Sequence, residues 1–208
     1  MLDDWKRWFP DCEPIAHHLP VVFAERWVRF HSLPGSKRYP DNEAEYATVI
    51  ERHNRVLGEL AHPGDDVALL TTGYSETPEP VRTERELLNL DPLAMPWRTV
   101  AMHQQDDNFS EPIFWHVFVS QWRWSPGVFD PLVRLIADVV LSNIMMVALD
   151  GRWLLHPYHG GMDVMVESRA ARDSLKERYL EWIAPEWLAA GDARDVELRL
   201  HNSRKLNS

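Results

Sequence analysis

Residues Phe114 to Trp124 read FWHVFVSQWRW, and both of their alternating sets are rich in large apolar side chains. Trp115, Val117, Val119 and Gln121 fall on one side, and Phe114, His116, Phe118, Ser120 and Trp122 on the other. Successive side chains of a strand point to opposite faces, so a run apolar on both belongs in the interior of a sheet rather than at a solvated edge. Ser125-Pro126-Gly127 ends it. This stretch predicts a strand central in its sheet, and the rest of the chain has to supply its neighbours and its cover.

The cover is legible in periodicity. Tyr46, Val49, Ile50, His53, Leu57 and Leu60 form a helical stripe over Asn42–Leu60. Asn42 and Glu45 stand at capping-box spacing, and His62-Pro63-Gly64 ends the helix. Asp130-Pro131 predicts an N-cap and first turn for a second helix facing inward through Leu132, Leu135, Ile136, Val139 and Val140. Ser168 caps a third, from Arg169 to Ala184. A short helix through Trp5, Trp8 and Phe9 opens the chain, and another lies near Val81–Leu88. Strands are predicted at Val21–Phe30, Asp66–Thr72, Arg98–Gln104, Ile144–Leu149, Arg152–Tyr158 and Met162–Glu167. Asp150-Gly151 is a two-residue hairpin signal, and Gly160-Gly161 breaks the chain again. Hairpins dominate the second half. The expectation is α+β: a largely antiparallel sheet with several helices packed on it, in one domain over residues 1–191 (or two lobes meeting near 74–97), followed by a polar tail at 192–208.

Composition narrows the function classes. The formal net charge of −10 argues against a nucleic-acid backbone or an anionic membrane as partner, and is compatible with a basic protein. One cysteine, Cys12, allows no internal disulfide and favours a reducing compartment. The N-terminus lacks the apolar core of a signal peptide, and no apolar run reaches membrane-spanning length, so a cytoplasmic location is expected. Most of the 10 tryptophans are expected in the core, with a minority forming an exposed recognition surface.

Polar side chains cluster in two places. His156-Pro157-Tyr158-His159-Gly160-Gly161-Met162-Asp163 sets two histidines, a tyrosine and a carboxylate around a turn, a His/His/Asp set that zinc or iron would accept if the backbone bends suitably. The bland reading is a tight turn with Tyr158 packed and Asp163 satisfying nearby donors. Arg26, Arg29, Lys37 and Arg38 make a local cationic patch beside the turn at Gly35-Ser36 that, with His31 as a further binding candidate, could hold phosphate or carboxylate, or tie a loop to acidic neighbours. No phosphate-loop frame is present. His53 lies on the apolar stripe, where a hydrogen bond to a carbonyl is the commoner fate and a general-base role the rarer. Cys12, between Asp11 and Glu13, is a poor nucleophile, and no nucleophile-elbow or dinucleotide glycine pattern occurs. No cofactor is expected, and no metal ligand set is assigned.

Two stretches resemble one family. Arg26-Trp27-Val28-Arg29-Phe30-His31-Ser32-Leu33-Pro34, with Arg52-His53-Asn54, is similar to a signature of bacterial proteins of unknown function. Arg152 to Val164, followed by Arg172-Asp173-Ser174-Leu175-Lys176, resembles the HPY-D-GG-x-DV and RDxLK pattern of the same group. The chain departs from that pattern at His159, where the family would carry aspartate. The resemblance implies a small cytosolic bacterial domain and no specific activity. From the acidic balance, the aromatic richness and the lack of a complete catalytic constellation, the expectation is a protein-binding module, immunity-type or accessory, without catalysis. The alternatives are a small-molecule or metal-dependent enzyme built on His31, His53, His156, His159 and Asp163, and a purely structural role for both signatures. Oligomeric state is left open.

Overall fold

The computed structural model describes residues 2, 4–105, 109 and 111–184. Seven strands make one sheet: β1 (Trp27–His31), β2 (Asp66–Ser75), β3 (Met95–Ala101), β4 (Phe114–Arg123), β5 (Met145–Ala148), β6 (Trp153–Tyr158) and β7 (Gly161–Val166). Their order is β1-β7-β6-β5-β2-β4-β3, and every neighbouring pair is antiparallel. Six helices accompany them among the described residues: α1 (Trp5–Trp8), α2 (Leu19–Val22), α3 (Glu43–Leu60), α4 (Arg85–Leu90), α5 (Asp130–Ala137) and α6 (Arg169–Arg178). The fold is α+β, as the sequence implied. β4 is paired along both edges, to β2 and β3, which is what its two apolar faces required. Residues 74–97 carry the end of β2, α4 and the start of β3, so this segment joins two strands that flank β4 in the same sheet.

Strand alternation divides the core between the two faces. On one face Val28, Phe30, Met162, Leu155, Met146 and Leu69 pack under α3, α5 and α6, contributing Leu57, Leu132 and Leu175 among others. Each such side chain, if fully buried, stabilises the fold by about 1.5–3 kcal/mol. On the other face Trp27, Met165, Leu154, Val147, Leu70 and Val119 are covered by the N-terminal segment through Leu2, Trp5, Phe9 and Leu19. This cover explains the aromatic density of the first residues: Trp5 is fully buried, its ring 4.6 Å from Phe9, and its indole N–H donates to the Cys12 carbonyl at 2.8 Å.

Local chemistry sets the element ends. Asn42 caps α3 by accepting the Glu45 N–H at 3.1 Å, while the Glu45 carboxylate accepts the N–H of Asp41, one residue earlier than a reciprocal capping box would place it. Ser168 caps α6 through the Ala171 N–H. The register Val147↔Leu154 centres the β5–β6 hairpin on Asp150-Gly151. Gly151 has φ +72°, and a Cβ there would lie 2.1 Å from the Trp8 ring, so both the turn and the aromatic above it need glycine.

Several expectations are corrected. The segment before Trp27 is helical, with α2 at Leu19–Val22 and a 3-10 turn at Ala24–Arg26, because Pro20 suits a helix N-terminus and β1 starts only at Trp27. Asp130 does not cap α5. Its carboxylate accepts the Asn54 side-chain N–H at 2.7 Å, and Phe129 holds the cap position. α5 ends at Ala137, so Val139 and Val140 are exposed rather than inward. α6 stops at Arg178 and gives way to a 3-10 turn over Leu180–Trp182. The β6–β7 register Tyr158↔Gly161 puts His159-Gly160 at the hairpin tip, with Gly161 already in β7. No tryptophan among the described residues is among the large side chains left exposed. The expected tail at 192–208 lies outside the described residues.

Candidate functional site

The two sequence clusters, 134 residues apart in the chain, meet in the sheet. Arg29 in β1 is the cross-strand partner of Asp163 in β7, and Asp163 is the partner of His156 in β6. The three side chains form a row on the face that the N-terminal segment covers. Arg29 donates from Nε and Nη2 to the two Asp163 carboxylate oxygens at 2.6 and 2.7 Å, a bidentate fork. Its guanidinium also lies 5.0 Å from the centre of the Tyr158 ring and 5.5 Å from that of Trp27. Asp163 is 4% exposed, so its charge depends on that fork. His156 Nδ1 is 2.8 Å from the Ile144 carbonyl oxygen, an acceptor only, so Nδ1 carries the proton. Burial pushes the His156 pKa down, against an opposing pull from Asp163, and the ring is neutral at pH 7. Leu19 and Pro20 close over Asp163 and His156, leaving a narrow crevice.

His31 and Tyr158 belong to the next row along the same face, at the end of the sheet, with Gly161 between them in register. Gly161 permits this: a Cβ would stand 2.2 Å from the Phe30 carbonyl oxygen and 2.8 Å from the Tyr158 hydroxyl. His159 at the hairpin tip stacks on Tyr39, centroids 5.1 Å apart and planes 8° apart, and burial with the nearby Arg38 lowers its pKa. Arg38 reaches the tip from the preceding loop, its Cγ 3.3 Å from where a Gly160 Cβ would sit.

Two candidates lie elsewhere. Lys37 turns toward the start of α3, bonded to Asp41 at 2.7 Å and to both oxygens of Glu45 at 2.6 Å, a loop tether. His53 is buried beneath α3, on the helix-covered side of the sheet, with Nδ1 2.7 Å from the Val49 carbonyl; burial drives its pKa down to about 4. Among the described residues no group of three His, Cys, Asp or Glu side chains is placed to hold a metal ion, because His156 is turned to Ile144 and His159 stacks at the tip. Cys12 is buried, and desolvation, with Glu13 second, raises its pKa to about 11. It is a poor nucleophile, chiefly for want of water rather than for its acidic neighbours.

The motif Arg52-His53-Asn54 is explained by packing. Arg52 donates to the His31 carbonyl at 2.7 Å and stacks 4.8 Å from Trp182. Asn54 bonds Asp130 and accepts the Gly127 N–H at 2.9 Å. Three successive residues thus fasten α3 to β1, to its own core and to the start of α5. In the RDxLK segment Arg172 is 2% exposed and Leu175 joins the core.

Sequence reasoning passed over a third polar cluster. His116 in β4, 1% exposed, meets Ser75 Oγ at 2.7 Å through Nε2 and Thr99 Oγ1 at 2.9 Å through Nδ1. Ser75 in turn donates to the Thr77 carbonyl at 2.7 Å. Beside it Asp91 is buried with Ser120 and Arg82. These groups pin β2, β3 and the 76–91 segment to β4. The only sequence signal for them was a pair of polar residues, His116 and Ser120, four positions apart on one face of an otherwise apolar strand.

No helix among the described residues is long and apolar enough to cross a membrane. Neither a curated protein nor a solved structure matches the chain. A family model does, over residues 15–187, from α2 and the segment before it through the hairpin row to the end of α6 and beyond. The shared unit therefore includes both the Arg29–Asp163–His156 row and the helices that cover the opposite face, and on this match the chain belongs to the DUF3885 family, a domain of unknown function.

Proposed function

We propose that this domain binds a protein partner in the cytoplasm without catalysing a reaction, as an immunity-type or accessory module. One observation carries the reading: an open groove between the end of α3, the β5–β6 hairpin and α6. It consists of depressions of about 260 and 390 Å³ that share Leu60, Arg152 and Trp153. Ala148, Val166 and Leu175 extend its apolar floor. A concave surface with an apolar floor and a polar rim, at the meeting of separate elements, can both desolvate and orient a partner's side chains. The Arg29–Asp163–His156 row has the opposite character, with its charges turned on one another and roofed by Leu19 and Pro20.

The test is capture of the intact chain's partner at native abundance, followed by hydrogen exchange on the reconstituted complex. Protection over 59–66, 148–153 and 166–178 is expected. A monodisperse chain with no reproducible partner would overturn the proposal, as would a reproducible turnover abolished by His156→Ala in a folded protein.

A further inference from the structure

Resting on that reading, we infer that the segment seated in the groove is a cationic amphipathic one, with apolar side chains on the floor and lysines or arginines at the rim. Five carboxylates stand around the groove: Glu59, Asp65, Asp66, Asp150 and Glu167, from four separate stretches of chain. Three guanidinium groups oppose them. Arg152 pairs with Asp150, Arg178 with Glu59, and Arg123 with Asp66 at 3.5 Å. The carboxylates are in surplus, and Glu167 has no ion pair among the described residues.

The existing pairs are easily given up. The Arg152, Arg178 and Arg123 side chains are more than half exposed, and ion pairs of that kind contribute little in water. An incoming cation can replace an arginine, or join it, at small cost. The end of α3 strengthens the preference. This 18-residue helix has no basic residue in its last turn and finishes at Leu60, in the groove wall, so no cation of its own offsets the partial negative charge at its C-terminus. An anionic segment could use the floor but would meet both the carboxylate surplus and the helix end unfavourably, and an uncharged one would gain no attraction from either. Attraction carried by exposed charges weakens with salt, whereas floor contacts do not.

The test uses the full chain and two short synthetic amphipathic helices of equal length, one leucine/lysine and one leucine/glutamate. The leucine/lysine helix is expected to bind and to protect 59–66, 148–153 and 166–178 from exchange, and the leucine/glutamate helix to bind much more weakly. Asp65→Lys combined with Glu167→Lys should weaken the first by at least about tenfold while the protein stays folded, with only a small shift in its unfolding midpoint. Equal affinity for the two helices, an undiminished affinity in the double variant, or protection mapped to another face would overturn the inference. The two readings separate on the captured partner. If it protects the groove but tolerates the double variant, partner binding stands and the cationic preference fails; if no partner is captured, the proposed function fails, whatever the peptides do.

Discussion

The two ends of the sheet handle charge in opposite ways. Where β1 and β6 finish and β5 and β7 begin, Arg29, Asp163, His156, Tyr158 and His31 lie in adjoining rows, and the principal charges are answered within the protein. At the other end Asp65, Asp66, Asp150, Arg152 and Glu167 surround a groove and are tied only by exposed pairs or by turn contacts. The chemistry-bearing residue types thus gather at the closed end, while the open end carries common surface residues. Residue type alone points to the closed end, although a histidine or carboxylate inside a sheet is first a packing problem to be solved.

The largest expected effect is at the closed end. Arg29→Ala leaves Asp163 buried without its fork and should cost about 3–5 kcal/mol in urea unfolding. Asp163→Ala should cost less, since the Arg29 side chain is already 21% exposed and can turn toward water. Equal small losses in both would mean that the row is as loosely held as the groove rim, and the contrast between the ends would disappear.

His53 gives a pH handle on the helix-covered face. Its pKa is lowered from 6.5 to about 4 in the folded protein, so between those values the unfolded chain takes up a proton that the folded chain refuses. Stability from this group is complete above pH 6.5 and falls as the pH drops toward 4, by about 3 kcal/mol in all. In His53→Gln, which retains a donor for Val49, denaturation midpoints measured from pH 7 to pH 4 should fall less steeply. An unchanged slope would assign the acid sensitivity elsewhere.

Much of this was legible in the chain and some was not, for identifiable reasons. The α3 stripe, the Asp150-Gly151 hairpin and the doubly apolar β4 depend on local periodicity and turn chemistry, which sequence displays directly. The α5 start was misread because Asp130 answers Asn54, 76 residues away, instead of its own helix. The Val139–Val140 pair continued the apolar stripe of α5 but fell past its end, where Val139 takes φ +60°. At the candidate site both clusters could be named from residue type, yet their union through β1–β7 pairing could not, since register is a nonlocal property. The His116–Ser75–Thr99 network was hidden for the same reason.

Two glycines compare the ends on backbone grounds. Gly161→Ala drives a methyl into the Phe30 carbonyl, which cannot move without loosening β1 from β7, and should cost about 1–3 kcal/mol. Gly151→Ala meets a positive φ and the Trp8 ring, but that ring belongs to the four-residue α1 and can be displaced. Its cost is expected to be smaller, about 1 kcal/mol, and to be accompanied by faster proteolysis ahead of β1. A larger loss in Gly151→Ala than in Gly161→Ala would mean that the Trp8 ring is held more firmly than the Phe30 carbonyl.

The smallest expected effect discriminates most sharply. Asp65→Lys and Glu167→Lys alter exposed charges at the groove, so each should change stability by no more than about 0.5 kcal/mol. Asp65 carries the greater risk, because its carboxylate accepts the His62 N–H at 2.8 Å and helps shape the turn after α3. Glu167 has no such duty among the described contacts, and its reversal is the cleaner probe. If Glu167→Lys leaves the thermal midpoint in place, the groove rim contributes little to stability, unlike the Arg29–Asp163 pair. If it destabilises the fold as Arg29→Ala does, the open end is structural too, and the groove loses its claim to a partner.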